Sequence, residues 1–124
     1  MDKLIIKYYN YYIANSLRSE DMKEQIIRRI FNGLIYIHIL HHGNKEAFYG
    51  SWMIEELGDH GYKVSPGTLY PALKSMVEEG LIEKEDRNVN GKIRKYYKTT
   101  EEGAKLLADL KSNLKELMDD NILR

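Results

Sequence analysis

Side chains that can donate hydrogen bonds or carry positive charge are concentrated in one stretch of the sequence. Ser65, Thr68 and Tyr70 supply hydroxyl groups, and Lys74 supplies an ammonium group one turn later. Residues 83–98 then contain six basic side chains against three acidic ones, although the formal net charge of the whole chain is +0. Phosphate binding depends on the local electrostatic field rather than on the total charge. The pattern therefore predicts a surface that contacts the phosphates and bases of a nucleic acid.

A helix is predicted to position the hydroxyl groups. Ser65 followed by Pro66 is typical of a helix start, because an N-cap side chain precedes the position where a missing N–H costs nothing. Gly80 predicts the helix end, since glycine readily adopts a positive φ. Pro71 predicts a bend near the helix start. The apolar residues recur at helical spacing and leave the hydroxyl and lysine side chains on another face. They are Leu69, Leu73, Met76 and Val77.

A β-hairpin is predicted to follow this helix. Asn90-Gly91 lies between two strand-like runs, which is the strongest short-range sequence signal for a hairpin. Tyr96 and Tyr97 alternate along the second strand, so one should join the core while the other contacts DNA or the neighbouring helix. A helix followed directly by a basic hairpin is typical of the recognition helix and wing of a winged helix-turn-helix. The candidate DNA-binding residues are Ser65, Gly67, Thr68, Tyr70, Lys74, Lys92, Arg94, Lys95 and Tyr97.

Some of these candidates also have a simpler interpretation. The basic residues between 94 and 98 could form only a solvated strand face. Lys74 could be ordinary helix surface, and Tyr70 could serve packing as well as a phosphate contact. The position of the basic run beside a recognition-type helix favours contact with phosphates.

The same region resembles the PadR-like family of bacterial and archaeal transcriptional regulators. The matching segments fall in the family's order and spacing from about residue 40 to residue 107. The resemblance implies a winged helix-turn-helix fold and a ligand pocket whose surfaces vary between members. Thr99 departs from the pattern, because the family usually has an aliphatic residue there. The segments are Tyr49-Gly50, Ser65-Pro66-Gly67-Thr68-Leu69-Tyr70-Pro71-Ala72-Leu73, Glu79-Gly80-Leu81-Ile82, Lys95-Tyr96-Tyr97 and Thr100-Glu101-Glu102-Gly103.

Two helices are predicted before the recognition helix. Asp21, with Glu24 three residues later, indicates a capping box at the start of the first helix. Gly43 is predicted to end it, after a stripe of apolar residues at helical spacing. The second helix is expected over residues 50–57, followed by a turn over residues 58–63.

The last helix is predicted to mediate dimerisation. It should begin at Thr100, or at Thr99, which has Glu102 at capping-box distance, and run toward Asp120. Its leucines fall at alternating three- and four-residue steps, as in the seam of a helix pair. Because so short a chain has no other element to cover this seam, we expect a second copy of the chain to pack on it. The seam consists of Leu107, Leu110, Leu114 and Leu117.

The predicted fold is mainly α with a small β-hairpin, in the α+β class. We divide the 124 residues into an N-terminal arm or extra helix at 1–20, a winged helix-turn-helix domain at 21–99 and a dimerisation helix at 100–124. Within the arm, Tyr8 and Tyr12 share one helical face.

The tyrosine-rich arm has two interpretations. It could be an extra helix that buries aromatic surface at the dimer interface. Alternatively, Tyr8 and Tyr12 could join Trp52 in a pocket for a flat aromatic effector, because aromatic-lined clefts suit such molecules.

Neither catalysis nor a cofactor is predicted. The sequence shows no phosphate-binding glycine-rich loop, no activated nucleophile and no paired carboxylates. His38 and His42 could present two metal ligands on one helical face. Since there is no cysteine, and only Glu46 or His60 could be a third ligand, we expect no metal site. The lack of cysteine, of a long apolar run and of a signal-peptide pattern favours a cytoplasmic protein without a membrane span.

Two functions are consistent with these patterns. The favoured one is a homodimeric, sequence-specific transcriptional regulator, most simply a repressor, that reads an inverted repeat in double-stranded DNA and responds to a small-molecule effector. The alternative is a winged-helix module that binds another protein and reads no DNA sequence. The excess of lysine and arginine in the wing favours the first. The sequence specifies neither the operator nor the effector.

Overall fold

Four helices and three strands make up residues 21–119. The computed structural model describes Lys3, Lys7 and residues 21–119, so the predictions for Tyr8 and Tyr12 lie outside the described residues. The α+β fold class is confirmed. The elements are α1 (Met22–Lys45), β1 (Phe48–Tyr49), α2 (Gly50–Asp59), α3 (Pro66–Glu78), β2 (Ile82–Val89), β3 (Lys92–Thr99) and α4 (Glu101–Met118).

Helix α1 is longer than the sequence predicted. The Asp21 carboxylate accepts a 2.9 Å hydrogen bond from the Glu24 amide, which confirms the predicted N-cap. The prediction that Gly43 ends the helix was wrong, because α1 continues to Lys45. Gly43 instead permits close packing, since a Cβ at this position would lie 2.6 Å from the Thr99 hydroxyl oxygen. Contact with β3, rather than a helix end, therefore accounts for this glycine.

Helix α3 begins and ends as the sequence predicts. Ser65 is its N-cap residue and Pro66 its first, although the Ser65 hydroxyl donates to Thr68 Oγ1 at 3.3 Å instead of capping a backbone amide. The helix continues through Pro71. At the other end Gly80 has φ +75°, and the two hydrogen bonds of a Schellman motif close the last turn.

The wing is the β2–β3 hairpin. Asn90 and Gly91 have φ values of 54° and 83°, as a type I′ turn requires, so the predicted hairpin is confirmed. Strand β3 lies between β2 and the two-residue β1, which the sequence did not predict. The residues of β1 pair with Tyr96 and Tyr97. This pairing attaches the base of the wing to the start of α2.

One hydrophobic core joins the four helices to the base of the sheet. Thr100 caps α4 by accepting a 3.1 Å hydrogen bond from the Gly103 amide, as predicted. Gly103 packs so closely on the Leu81 carbonyl oxygen that a Cβ there would clash with the backbone. The largest fully buried side chains are Tyr62, Phe31, Ile39, Leu40, Met53, Leu57, Leu69, Leu73 and Ile82.

Candidate nucleic-acid interface

A basic cleft lies between helix α3 and the wing. Tyr70 and Lys74 line it from the helix, and Lys84 and Lys95 line it from the two wing strands. All four residues are exposed. Three lysines against the carboxylate of Glu78 give the lining an excess of positive charge. Such a cleft suits the phosphate backbone of a nucleic acid.

The hairpin register decides which wing residues face this cleft. Lys84 lies opposite Tyr97, and Lys95 lies two residues before Tyr97 on β3. Directly opposed residues, and residues two apart on one strand, share a face of the sheet. Lys92, an odd number of residues from Lys95, belongs to the other face. Lys84 was missed as a candidate, although the two-residue turn at 90–91 already fixes which residues are opposed.

The first turn of α3 is open to solvent. Ser65, Gly67 and Thr68 are all exposed, whereas Leu69 is buried in the core. Thr68 borders a hollow toward α1, and Tyr70 borders the cleft toward the wing. The start of a recognition helix is the part that approaches base edges in the major groove. Helix α3 therefore carries both the predicted hydroxyl groups and one wall of the lysine cleft.

Tyr70 is both packed and accessible. Its ring lies against Gly50 at the start of α2, where a Cβ would lie 2.6 Å from the ring carbon Cζ. The residue is nevertheless 44 % exposed. Both roles that the sequence left open for Tyr70 are therefore compatible with its position.

The opposite face of the wing carries two arginines stacked on tyrosine rings. The guanidinium carbon of Arg94 lies 4.1 Å from the centroid of the Tyr49 ring. That of Arg87 lies 4.3 Å from the centroid of the Tyr96 ring. The two arginines are directly opposed across the strands, and their like charges repel each other. The tyrosine rings and the Glu85 carboxylate, which lies 3.4 Å from Arg87, offset this repulsion. Arg94 thus lies on the face away from the lysine cleft.

Tyr97 lines the lysine cleft but is largely a core residue, so its predicted contact with DNA stays a prediction. Tyr97 is 5 % exposed, and its ring stacks on Phe48 with centroids 5.9 Å apart. Burial raises the pKa of its hydroxyl. The Phe48 ring of β1 packs against Tyr97 on this face of the sheet, whereas the neighbouring Tyr96 lies on the other face and is partly buried.

Trp52 lines an open cavity of about 480 Å³ beside the wing. Its ring lies edge-on to His42, with centroids 5.5 Å apart. Of the three predicted effector-pocket residues, Trp52 is the one within the described part of the chain. The aromatic lining is completed by Phe48, Tyr49 and Tyr96.

The leucine seam of α4 is covered in its first half. Leu107 is 3 % exposed and Leu110 packs partly buried against the core. The expectation that no other element covers the seam was wrong here, because α1 packs on α4. Leu114 and Leu117 remain 39 % and 55 % exposed. Beside Leu110 an apolar cleft runs between α1 and α4, lined also by Tyr36, Ile37, Leu40, Leu81 and Leu106.

Three histidines converge where α1 meets the end of α2. They are His38 and His42 of α1 and His60, the C-cap residue of α2. One ring nitrogen of each lies within 4.8 Å of the others. His60 was one of two candidate third ligands in the sequence. Its position relative to the other histidines could not be predicted, because it depends on how α2 packs on α1. This cluster is the arrangement in the described residues that could hold a metal ion.

Comparison with known proteins gives one consistent result. The model of the "Transcriptional regulator PadR-like family" matches residues 39–109. Transcriptional regulator Rv3488 of Mycobacterium tuberculosis is 40% identical over 91 residues, which cover 73% of this chain and 85% of that protein. Among residues 21–119, no helix combines the length and the apolar character that crossing a membrane requires.

Solved structures show the same likeness. A PadR family transcriptional regulator from Eggerthella lenta is 30% identical with a TM-score of 0.68, and the match covers 78% of this chain and 86% of that one. A PadR-like transcriptional regulator from Bacillus cereus is 31% identical with a TM-score of 0.67, over 77% and 97% of the two chains. Since the family model spans more than half of the sequence, this chain belongs to the PadR-like family of transcriptional regulators.

Proposed function

We propose that the chain is a repressor that binds an inverted-repeat operator as a homodimer and is released by a small-molecule effector. The observation that carries the proposal is the cleft where Lys74 faces Lys84 and Lys95 beside the open first turn of α3. In this arrangement α3 enters the major groove, with Thr68 near the base edges. The lysines contact phosphates on the flanking backbone and fix the register of the helix.

The exposed half of α4 supports dimerisation. Leu114 and Leu117 lie beyond the part of α4 that α1 covers, and Met118 next to them is also exposed. The apolar cleft between α1 and α4 adjoins them through Leu110. Contiguous apolar surface of this kind marks protein interfaces. Pairing through a two-fold axis places two recognition helices on the two halves of an inverted repeat.

The cavity around Trp52 supports the effector part of the proposal. Its lining includes Arg87 and Tyr96 of the wing and Glu56 of α2, so a ligand there contacts both elements. A flat aromatic molecule stacks on the indole ring. A ligand that binds more tightly to one position of the wing increases the population of that conformation. The altered spacing between the two DNA-binding surfaces of the dimer then lowers the affinity for the operator.

Selection of bound duplexes from a random DNA pool tests the proposal. We expect the full chain to enrich one inverted repeat. The double variant Lys74→Ala/Lys95→Ala should enrich the same repeat with weaker affinity, because phosphate contacts carry no sequence information. Lys105→Ala/Lys115→Ala removes the same charge from exposed positions of α4 and is the matched control.

Enrichment of no sequence would contradict the proposal. Binding without sequence preference that disappears as salt rises would favour an architectural role. Failure to bind DNA in a folded chain would favour the alternative, a winged-helix module that docks on another protein.

A further inference from the structure

The three histidines where α1 meets the end of α2 have the geometry of a set of metal ligands. His38 and His42 stand four residues apart on α1, so their rings project from one helical face, with centroids 5.9 Å apart. The ring of His60 lies 5.2 Å from that of His38, between centroids. One nitrogen from each ring lies within 4.8 Å of the other two. Three imidazoles from two helices thus point into one small volume.

Glu56 adds a carboxylate to the same cluster. Its Oε1 atom lies 3.3 Å from His60 Nε2 and 3.7 Å from His42 Nε2. The second distance exceeds hydrogen-bond length, and His42 Nε2 is buried without a hydrogen-bond partner among the described residues. A buried nitrogen without a partner costs free energy unless a ligand occupies it. The cluster therefore contains a buried ring nitrogen that is available to a ligand when the tautomer places the hydrogen on Nδ1.

We propose that His38, His42 and His60 bind a divalent transition-metal ion, with Glu56 as the fourth ligand. Imidazole and carboxylate suit Zn²⁺, and also Co²⁺, Ni²⁺ or Cu²⁺, rather than the oxygen-seeking Mg²⁺ or Ca²⁺. In a tetrahedral zinc site with bonds of about 2.0–2.1 Å, neighbouring ligand atoms are about 3.4 Å apart. The three ring nitrogens lie within 4.8 Å of one another, so metal binding requires them to move closer together. We expect the half-exposed His60 side chain to supply most of this movement.

The ion cross-links two elements that the DNA-binding unit must hold together. His60 precedes the turn into α3, while His38 and His42 belong to the long helix on which the core is built. A bound metal thus fixes the end of α2 against α1. The site does not depend on the proposed DNA binding, and its test requires no DNA.

Metal titration of the full chain without a polyhistidine tag tests the proposal. Co²⁺ is the spectroscopic probe, because tetrahedral coordination gives intense visible absorption, and Zn²⁺ affinity follows from competition with a chelating dye. Each of His38→Gln, His42→Gln and His60→Gln should weaken Zn²⁺ binding by about 100-fold, and Glu56→Gln by about tenfold. The matched control is His41→Gln, the fourth histidine of the chain, whose Nδ1 lies 3.1 Å from Lys111 Nζ instead.

Several outcomes would overturn the site. They are a wild-type chain that binds Zn²⁺ no tighter than about 1 mM, a His41→Gln variant that loses as much affinity as the others, and octahedral Co²⁺ spectra. Because a buried change can disturb folding, each variant is checked by circular dichroism in EDTA. His60→Gln is decisive, since the His60 side chain is 50% exposed and its loss leaves the core intact.

Discussion

The Thr99 hydroxyl donates a 2.8 Å hydrogen bond to the carbonyl oxygen of Leu40, joining residues that lie 59 positions apart. The bond is buried and fastens the end of the wing to α1. It explains how a hydroxyl is accepted at a position where the family usually has an aliphatic side chain, because the polar group finds a partner. Gly43 leaves the space in which the hydroxyl lies.

Replacing Thr99 with valine should lower the free energy of unfolding by about 0.5–1.5 kcal/mol, because the change removes one buried hydrogen bond at nearly constant volume. The loss should stay in this range, since the Leu40 carbonyl lies inside α1 and keeps its helical partner. Urea denaturation measures it. Thr68→Val, the same chemical change at an exposed helix position, is the control, and an equal effect there would contradict the assignment.

The two faces of the wing should contribute differently to DNA affinity. Lys95→Ala should lower the slope of log affinity against log salt by about 0.9, the value for one phosphate contact. Arg94→Ala should lower it less, because its guanidinium stacks on Tyr49 away from the lysine cleft. Fluorescence anisotropy at several salt concentrations measures both slopes. A larger effect for Arg94 would mean that the face with Tyr49 contacts DNA.

Thr68→Ala should relax base preference at particular operator positions. If Thr68 makes a base contact, the operator should lose about 1–3 kcal/mol of binding free energy while random DNA loses little. Ser75→Ala, an exposed change in the second half of α3, is the control. Equal losses on operator and random DNA would place Thr68 on the phosphate backbone.

Leu114→Asp should convert the proposed dimer into monomers. A carboxylate at this exposed position disrupts an apolar interface while leaving the core intact, whereas a charge at the buried Leu107 would unfold the chain. Sedimentation velocity should show a dissociation constant raised by about tenfold or more. Ser112→Asp adds the same charge on the opposite face of α4 and should have no effect. A folded wild-type monomer at micromolar concentration would exclude this dimer.

Without a bound metal, the chain should become less stable as the pH falls from 7 to 5. The pKa of His38 is about 4 in the folded chain and 6.5 when unfolded, so the unfolded state binds more protons within this window. Because solvent partly screens the ring, the loss should be about 1 kcal/mol. Urea denaturation in EDTA measures it, and His38→Asn, which cannot titrate, should show a flatter profile. Parallel profiles would show that His38 does not carry the effect.

The local signals of the sequence were sufficient to predict most of the elements. Asn90-Gly91, Gly80 and Asp21 each determine a turn or a helix end through their own backbone and that of their neighbours. The structure confirms these predictions. Gly43 carried the same kind of signal, yet its reason is packing against Thr99, which a local pattern does not contain.

The placement of side chains across elements could not be predicted. Tyr97 packs against Phe48 of β1, and a two-residue strand has no periodicity to detect. Leu107 is buried because α1 packs on α4, whereas Leu114 and Leu117 of the same seam are exposed. His60 reaches His38 only through the packing of α2 on α1. Each of these contacts depends on tertiary structure.

The outer edge of β2 has no neighbouring strand in the part of the chain that the structure describes. Its unpaired N–H and C=O groups could recruit a strand from another molecule and start the growth of an intermolecular sheet. Residues 83–87 read Glu-Lys-Glu-Asp-Arg and are all exposed. Consecutive charges of mixed sign oppose such edge-to-edge association. Neutral replacements along this edge would therefore make the wing prone to aggregate, whatever they do to its affinity for DNA.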